Sequence, residues 1–168
     1  MYHTRILNPS EGGVKVYNTS NIDTLGSSLI DLIGFLNSPR RDDALLREAN
    51  VSLDRALFPL LVRLGGQGPL GVAELADQVG RDHTTVSRQL AKLESLNLVA
   101  RCESDPDRRR RAARLTADGA NIVQAITLAR RRLLSKVLAD WSEADRAALA
   151  DLNRRFADTL IGFAQERA

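Results

Sequence analysis

Cysteine occurs once in the 168 residues, at position 102, so no disulfide framework can form within the chain. Histidine occurs twice, as His3 and His83. A metal site needs clustered His, Cys, Asp or Glu ligands, and Cys102 has only Glu103 as a neighbour of that kind. Ser87, His83 and Asp82 can be combined on paper into a nucleophile, base and acid. All three fall on a basic, open helix face with nothing to exclude water, so no enzymatic activity, metal or cofactor is expected. Gly65-Gly66-Gln67-Gly68 lacks the lysine and the strand-then-helix setting of a phosphate loop. Aromatic residues make up 4% of the chain, which argues against a stacking-rich pocket. No apolar run approaches the ~20 residues that cross a bilayer. The N-terminus has no basic-then-apolar export pattern. The expectation is a cytoplasmic protein with no membrane partner.

Apolar residues make up 43%, enough for a core, and the length suits one compact domain or one domain with a helical extension. The charge is unevenly spread. Between Arg81 and Arg114 there are nine Lys and Arg against five Asp and Glu, whereas the whole chain has 24 against 21. The positive excess is therefore focused on one module. Such a patch speeds encounter with polyanions and binds phosphate through counterion release.

That module has a readable layout. Val72, Leu75, Ala76 and Val79 recur at helical spacing, and Gly80 follows where the chain must turn. Asp82 is placed to cap a second helix by accepting from the amide of Thr84 or Thr85. In that helix Val86, Leu90, Leu93 and Leu96 form the apolar face. His83, Thr84, Thr85, Ser87, Arg88 and Lys92 form the other, with side chains of a length suited to phosphates and base edges. Asn97 stands where a left-handed C-cap is needed. Leu98–Glu103 and Arg111–Thr116 then read as paired strands, with Ser104, Asp105, Pro106 and Asp107 as turn residues. Arg108, Arg109, Arg110, Arg111 and Arg114 follow within seven positions. Standing alone, an arginine run reads as a solvated loop. At hairpin distance behind a polar-faced helix, it reads as the wing of a winged helix-turn-helix. The fold expected is mostly α with a small β wing, and the partner expected is double-stranded DNA.

The same residues resemble the MarR family of bacterial transcription regulators. Asp107-Arg108-Arg109, followed by a strand and Leu115-Thr116-Ala117-Asp118-Gly119, is similar to the family's wing pattern. Thr84-Thr85-Val86-Ser87-Arg88 resembles its recognition-helix motif, and Gly68-Pro69-Leu70-Gly71-Val72-Ala73-Glu74-Leu75-Ala76 its upstream pattern. The resemblance implies that Asp107 braces Arg108 or Arg109 for the minor groove. Two departures stand out: Arg81 replaces a residue that is often apolar and adds a phosphate contact, and Asn97 replaces a common glycine. Peroxide-sensing members carry a reactive cysteine near the N-terminus; this chain has none there, and Cys102 reads as a strand residue.

The flanks complete the division of the chain. Residues 1–20 read as a loose arm. Residues 21–50 hold a dimerisation helix, with Ile22, Leu25, Leu29, Leu32, Ile33 and Leu36 at helical spacing, ended by Ser38-Pro39; Arg40 to Asn50 reads equally as a short helix or a loop. Residues 51–116 form the DNA-binding domain, beginning with a helix capped by Ser52, bent at an interior Pro59 and stopped by Gly65-Gly66-Gln67-Gly68-Pro69. Residues 117–168 hold two further helices: one capped by Thr116 and running to about Ala139, and one introduced by Ser142 and Asp145. Ile22, Leu25, Leu152, Phe156, Leu160 and Phe163 are expected at a homodimer interface, because terminal helices this apolar need a partner surface. The resemblance implies such a dimer, with two DNA heads spaced for successive major grooves. It also implies a small aromatic or phenolic effector, for which Leu29, Ile33, Leu57, Leu61 and Arg63 are candidate liners. The expected function is a ligand-responsive repressor on a palindromic operator; the alternative is a non-responsive architectural DNA-binding protein.

Overall fold

The computed structural model describes residues 19–103 and 111–166. Two compact units divide at Arg41 and Asp42. The first unit contains α1, Thr19–Leu36. Its apolar residues are exposed along most of the helix, Ile30 at 72% and Phe35 at 65%. After it, the Arg41 guanidinium lies 6.0 Å from the Phe35 ring centre, and its Nη1 donates to the Leu36 carbonyl.

α2 is Pro39–Glu48, so the ambiguous stretch is helical, with proline at its start where a missing N–H does no harm. Residues 42–50 belong to the second unit. The reason is apolar: Leu45 and Leu46 are buried with Phe58, Ile126 and Ala129.

α3 runs Phe58–Gln67, five residues later than the Ser52 cap implied. Residues 51–54 are in no helix or strand, and a tight turn follows in which Asp54 accepts from the amides of Ala56 and, through its carbonyl, Leu57. Pro59 therefore sits in the first helical turn, where its absent N–H would have lacked a partner anyway, and it bends nothing. Gly65 and Gly66 lie inside the last turn, and the helix ends at Gly68 with φ 84°.

α3 is apolar on two faces, and this organises the unit. Leu57, Leu60, Leu61 and Leu64 point into one cluster with Leu75, Val86, Leu90, Leu93, Leu98, Val99 and Ala113. Phe58 points into the other. Leu53 and Ile122 touch both clusters, so the helix-turn-helix and α6 share one continuous packing. Burying each such leucine contributes about 1.5–3 kcal/mol relative to exposure.

The strands form an antiparallel sheet in the order β1-β3-β2. β2, Val99–Glu103, pairs with β3, Arg111–Leu115, in the register Val99 to Leu115 through Glu103 to Arg111. β1, Leu70–Gly71, pairs with β3 on its other side and was not visible in the sequence, since two residues show no period. Ser104 to Arg110, including the wing residues Asp107, Arg108, Arg109 and Arg110, lie outside the described residues. α6 is Ala117–Val137 and α7 is Glu143–Gln165, capped by Thr116 and Ser142 through the amides of Gly119 and Asp145. Ser142 also donates its hydroxyl to Asp145 Oδ2 at 2.6 Å. α7 lies open along most of its length, with Leu152 at 63%, Leu160 at 51% and Phe163 at 53%.

Candidate nucleic-acid interface

α4, Val72–Val79, and α5, His83–Ser95, are separated by three residues. Glu74 starts α4 by accepting from the Gly71 amide at 2.8 Å. Gly80 ends it at φ 64°, with its own amide donating to the Asp77 carbonyl and the Arg81 amide to Ala76. This paired closure needs a left-handed residue, which glycine adopts without penalty. Asp82 then accepts from the Thr85 amide at 2.8 Å. The Thr85 hydroxyl first, and its amide second, hold the Asp82 carboxyl below the usual carboxylate range. A charged acceptor at a helix N-terminus suits the positive end of the helix dipole.

α5 divides cleanly. Val86, Leu90 and Leu93 are 0–1% exposed. His83, Thr84, Ser87, Arg88 and Lys92 are exposed, and Thr85 is half-buried. Val72, His83, Thr84, Ser87 and Arg88 line one shallow cleft, and Arg88 Nη2 donates to the Thr85 hydroxyl at 3.4 Å. Ala91 is exposed between Arg88 and Lys92; a sequence search for polar side chains passes over it, but a methyl on this face suits contact with a thymine methyl. Leu96 departs from expectation. It is 44% exposed, because the helix ends at Ser95 and the chain reverses at Asn97 before the next inward turn.

The reversal is well determined. Asn97 has φ 57°, its amide donates to Glu94, and the Leu98 amide donates to Leu93. This returns Leu98 to the core and starts β2. The Thr116 hydroxyl donates to the Asn97 carbonyl at 2.6 Å, the Thr116 amide donates to the Leu98 carbonyl, and Asn97 Nδ2 donates to Asp118. The end of the polar-faced helix, the base of the wing and the start of α6 are thus pinned at one point.

Arg81, expected to contact phosphate, makes contacts within the chain. Its Nη1 donates to the Ala56 carbonyl at 2.7 Å and to Gln89 Oε1 at 2.9 Å, and the side chain is partly buried. Leu57 and Leu61, expected to line a ligand pocket, are core residues at 4% and 0% exposure, since α3 turns them toward α4 and α5. Arg63 is exposed on α3, while Leu29 is half-buried and Ile33 exposed in the first unit. Cys102 is a half-buried strand residue opposite Ala112. Among the described residues, no three His, Cys, Asp or Glu side chains are grouped to hold a metal. No described helix is long and apolar enough to cross a membrane.

A helix-turn-helix followed by a sheet hairpin, with the second helix buried on one side and polar and basic on the other, is a winged helix DNA-binding module. The sequence profile of the MarR family matches residues 52–110. The chain is 30% identical over 110 residues to the HTH-type transcriptional regulator YxaD of Bacillus subtilis, spanning 66% of this chain and 77% of that one. It belongs to the MarR family of DNA-binding transcriptional regulators. A MarR family protein from Bacillus stearothermophilus has a similar structure, with TM-score 0.72 and 23% identity over 87% of this chain and 99% of that one. Staphylococcus aureus MarR, solved in complex with salicylate and kanamycin, aligns with TM-score 0.63 and 16% identity over 87% of this chain and 95% of that one.

Proposed function

We propose that the protein is a ligand-responsive repressor that binds a palindromic operator as a homodimer. The observation that carries this is the two-sided α5. Val86, Leu90 and Leu93 are fully buried, and Thr84, Ser87, Arg88, Ala91 and Lys92 form one exposed stripe. In this reading α5 enters the major groove, Arg88 reaches a base edge, and Thr84, Ser87 and Lys92 divide between phosphate and base. His83 lines the same cleft, and the Thr85 hydroxyl accepts from Arg88 at its side. The sequence of the wing supplies Arg108, Arg109 and Arg110 for the adjacent backbone and minor groove, with Asp107 as brace.

The dimer rests on the terminal helices. Ile22 and Leu25 of α1 are 56% and 41% exposed, and Leu152, Leu160 and Phe163 of α7 exceed half. Apolar faces of this extent mark association surfaces. A twofold pairing would set two α5 helices against half-sites a helical turn apart, about 34–36 Å. Residues 21–50 and 117–168 then serve assembly, and 51–116 serve DNA.

The effector in this reading is a small aromatic acid or phenol. Its support is the salicylate bound by the structurally similar S. aureus protein. Thermal unfolding and operator titration, each with and without salicylate at millimolar concentration, test it. A raised Tm together with weakened operator binding is the expected pair. Unchanged values across a panel of aromatic acids would favour the non-responsive, architectural reading.

A further inference from the structure

Arg81 stands between α4 and α5, one residue before the Asp82 cap. A single nitrogen, Nη1, donates both to the Ala56 carbonyl at 2.7 Å and to Gln89 Oε1 at 2.9 Å. The Ala56 end is fixed: its own amide donates to Asp54 Oδ1 at 2.8 Å, the Leu57 amide donates to the Asp54 carbonyl at 2.9 Å, and the Leu57 side chain is 4% exposed. The Gln89 end lies in mid-helix, beside the buried Leu90. One guanidinium therefore joins the turn before α3, 25 residues away, to the turn before α5 and the flank of α5.

We propose that Arg81 is a positioning residue for DNA recognition, a clamp that fixes the orientation of α5 against the 54–57 turn rather than a phosphate contact. The proposal rests on α5 being the helix that reads DNA. The physical need is clear from what else holds α5. Val86, Leu90 and Leu93 anchor it by apolar burial, which is non-directional, and the Asn97 junction pins its far end, so the Arg81 bonds supply a directional hold at its near end. Hydrogen bonds from a charged donor are short and directional. Base-edge contacts demand placement within about 0.5 Å, whereas phosphate attraction falls off gently with distance. Loss of the clamp should therefore harm discrimination more than attraction.

The test uses the full chain, with Arg81→Met, Gln89→Leu and the double variant. The wild type selects its duplex from a random pool, and a scrambled duplex serves as comparator. Gln89→Leu, which removes one charge-assisted hydrogen bond, should lose about tenfold in affinity for the selected duplex, and Arg81→Met, which removes both, at least as much. Scrambled-duplex affinity and the salt slope should match wild type. The double variant should be no weaker than Arg81→Met alone, because both ends of one bond are then removed. Amide hydrogen exchange across residues 83–89 of the DNA-free variants should be faster than wild type. That readout needs no DNA, so it tests the clamp even if another helix reads the duplex. A salt slope reduced by about one per chain with unchanged exchange would make Arg81 a phosphate contact and overturn the proposal. Unchanged affinity and exchange would overturn it too, as would faster exchange with selective binding intact.

Discussion

Gly119 and Asn97 are small residues on which the base of the wing depends. A Cβ on Gly119 would lie 2.0 Å from the Leu98 carbonyl oxygen, a backbone atom that cannot swing aside. The glycine lets the first turn of α6 press directly on the chain leaving α5, while the Thr116 hydroxyl and Asn97 amide secure the same junction. That is the physical content of the Leu115-Thr116-Ala117-Asp118-Gly119 pattern. Gly119→Ala must push α6 away from Leu98, at a cost of about 1–3 kcal/mol for an overpacked site. The expected outcome is a Tm several degrees lower in calorimetry, with weakened DNA binding at the permissive temperature. A Tm equal to wild type would mean the junction is looser than this geometry.

Among the elements, the link between α2 and α6 has a charge dependence that can be measured. Arg132 Nε donates to Glu48 Oε1 at 2.8 Å, and Nη2 donates to the Glu48 carbonyl at 2.9 Å. The hydrogen bond from Arg132, followed by the charge of Lys136, holds the Glu48 carboxyl below the usual glutamate range. A carboxyl lowered in the folded state stabilises the fold above its unfolded pKa, and that contribution is lost as pH falls through the folded pKa. Tm should therefore drop as pH falls below the ordinary carboxylate range, and Glu48→Gln should lower Tm near neutrality and lack this share of the acid-side drop, so that the two profiles converge in acid. Identical acid profiles for the two proteins would remove the pair from the stability of the link. The elements themselves were unequally legible in sequence. α4, α5, the β2–β3 pair, α6 and α7 followed from period and caps, because Gly80, Asp82, Asn97, Thr116 and Ser142 are local signals for local geometry. The start of α3 did not follow, because Ser52 has the chemistry of a cap while the decisive feature is the Asp54 turn and the packing of Leu57. The intrachain contacts of Arg81 were hidden for a related reason. Its residue type fits phosphate, and only the fold brings Ala56 and Gln89 within its reach.

At the scale of the whole molecule, most large apolar residues of α1 and α7 remain exposed in a single chain, with Leu29 and Phe156 half-buried, whereas Leu60, Leu61, Leu75, Leu90 and Leu93 of α3, α4 and α5 are buried. Stable homodimers of this kind bury about 2,000 Å² or more. Phe156→Asp would place an uncompensated charge in the proposed interface, a cost of several kcal/mol, on the order of 3–5. Sedimentation should show the wild type as a dimer at micromolar concentration and this variant as a monomer. The variant should also lose selective DNA binding, because one head forfeits the paired half-site. A wild-type monomer that binds its duplex tightly would contradict the assembly. The most direct test of DNA reading by α5 and the wing is a titration of the selected duplex between 50 and 200 mM salt, with wild type and Arg88→Ala side by side. If a dimer makes roughly 6–10 phosphate contacts, wild-type affinity should fall about 10³–10⁵-fold over that range. Arg88→Ala should bind more weakly at every salt concentration, by about 1–3 kcal/mol if a base contact is lost. A flat salt response, or an Arg88→Ala curve superimposed on wild type, would contradict DNA reading by this face.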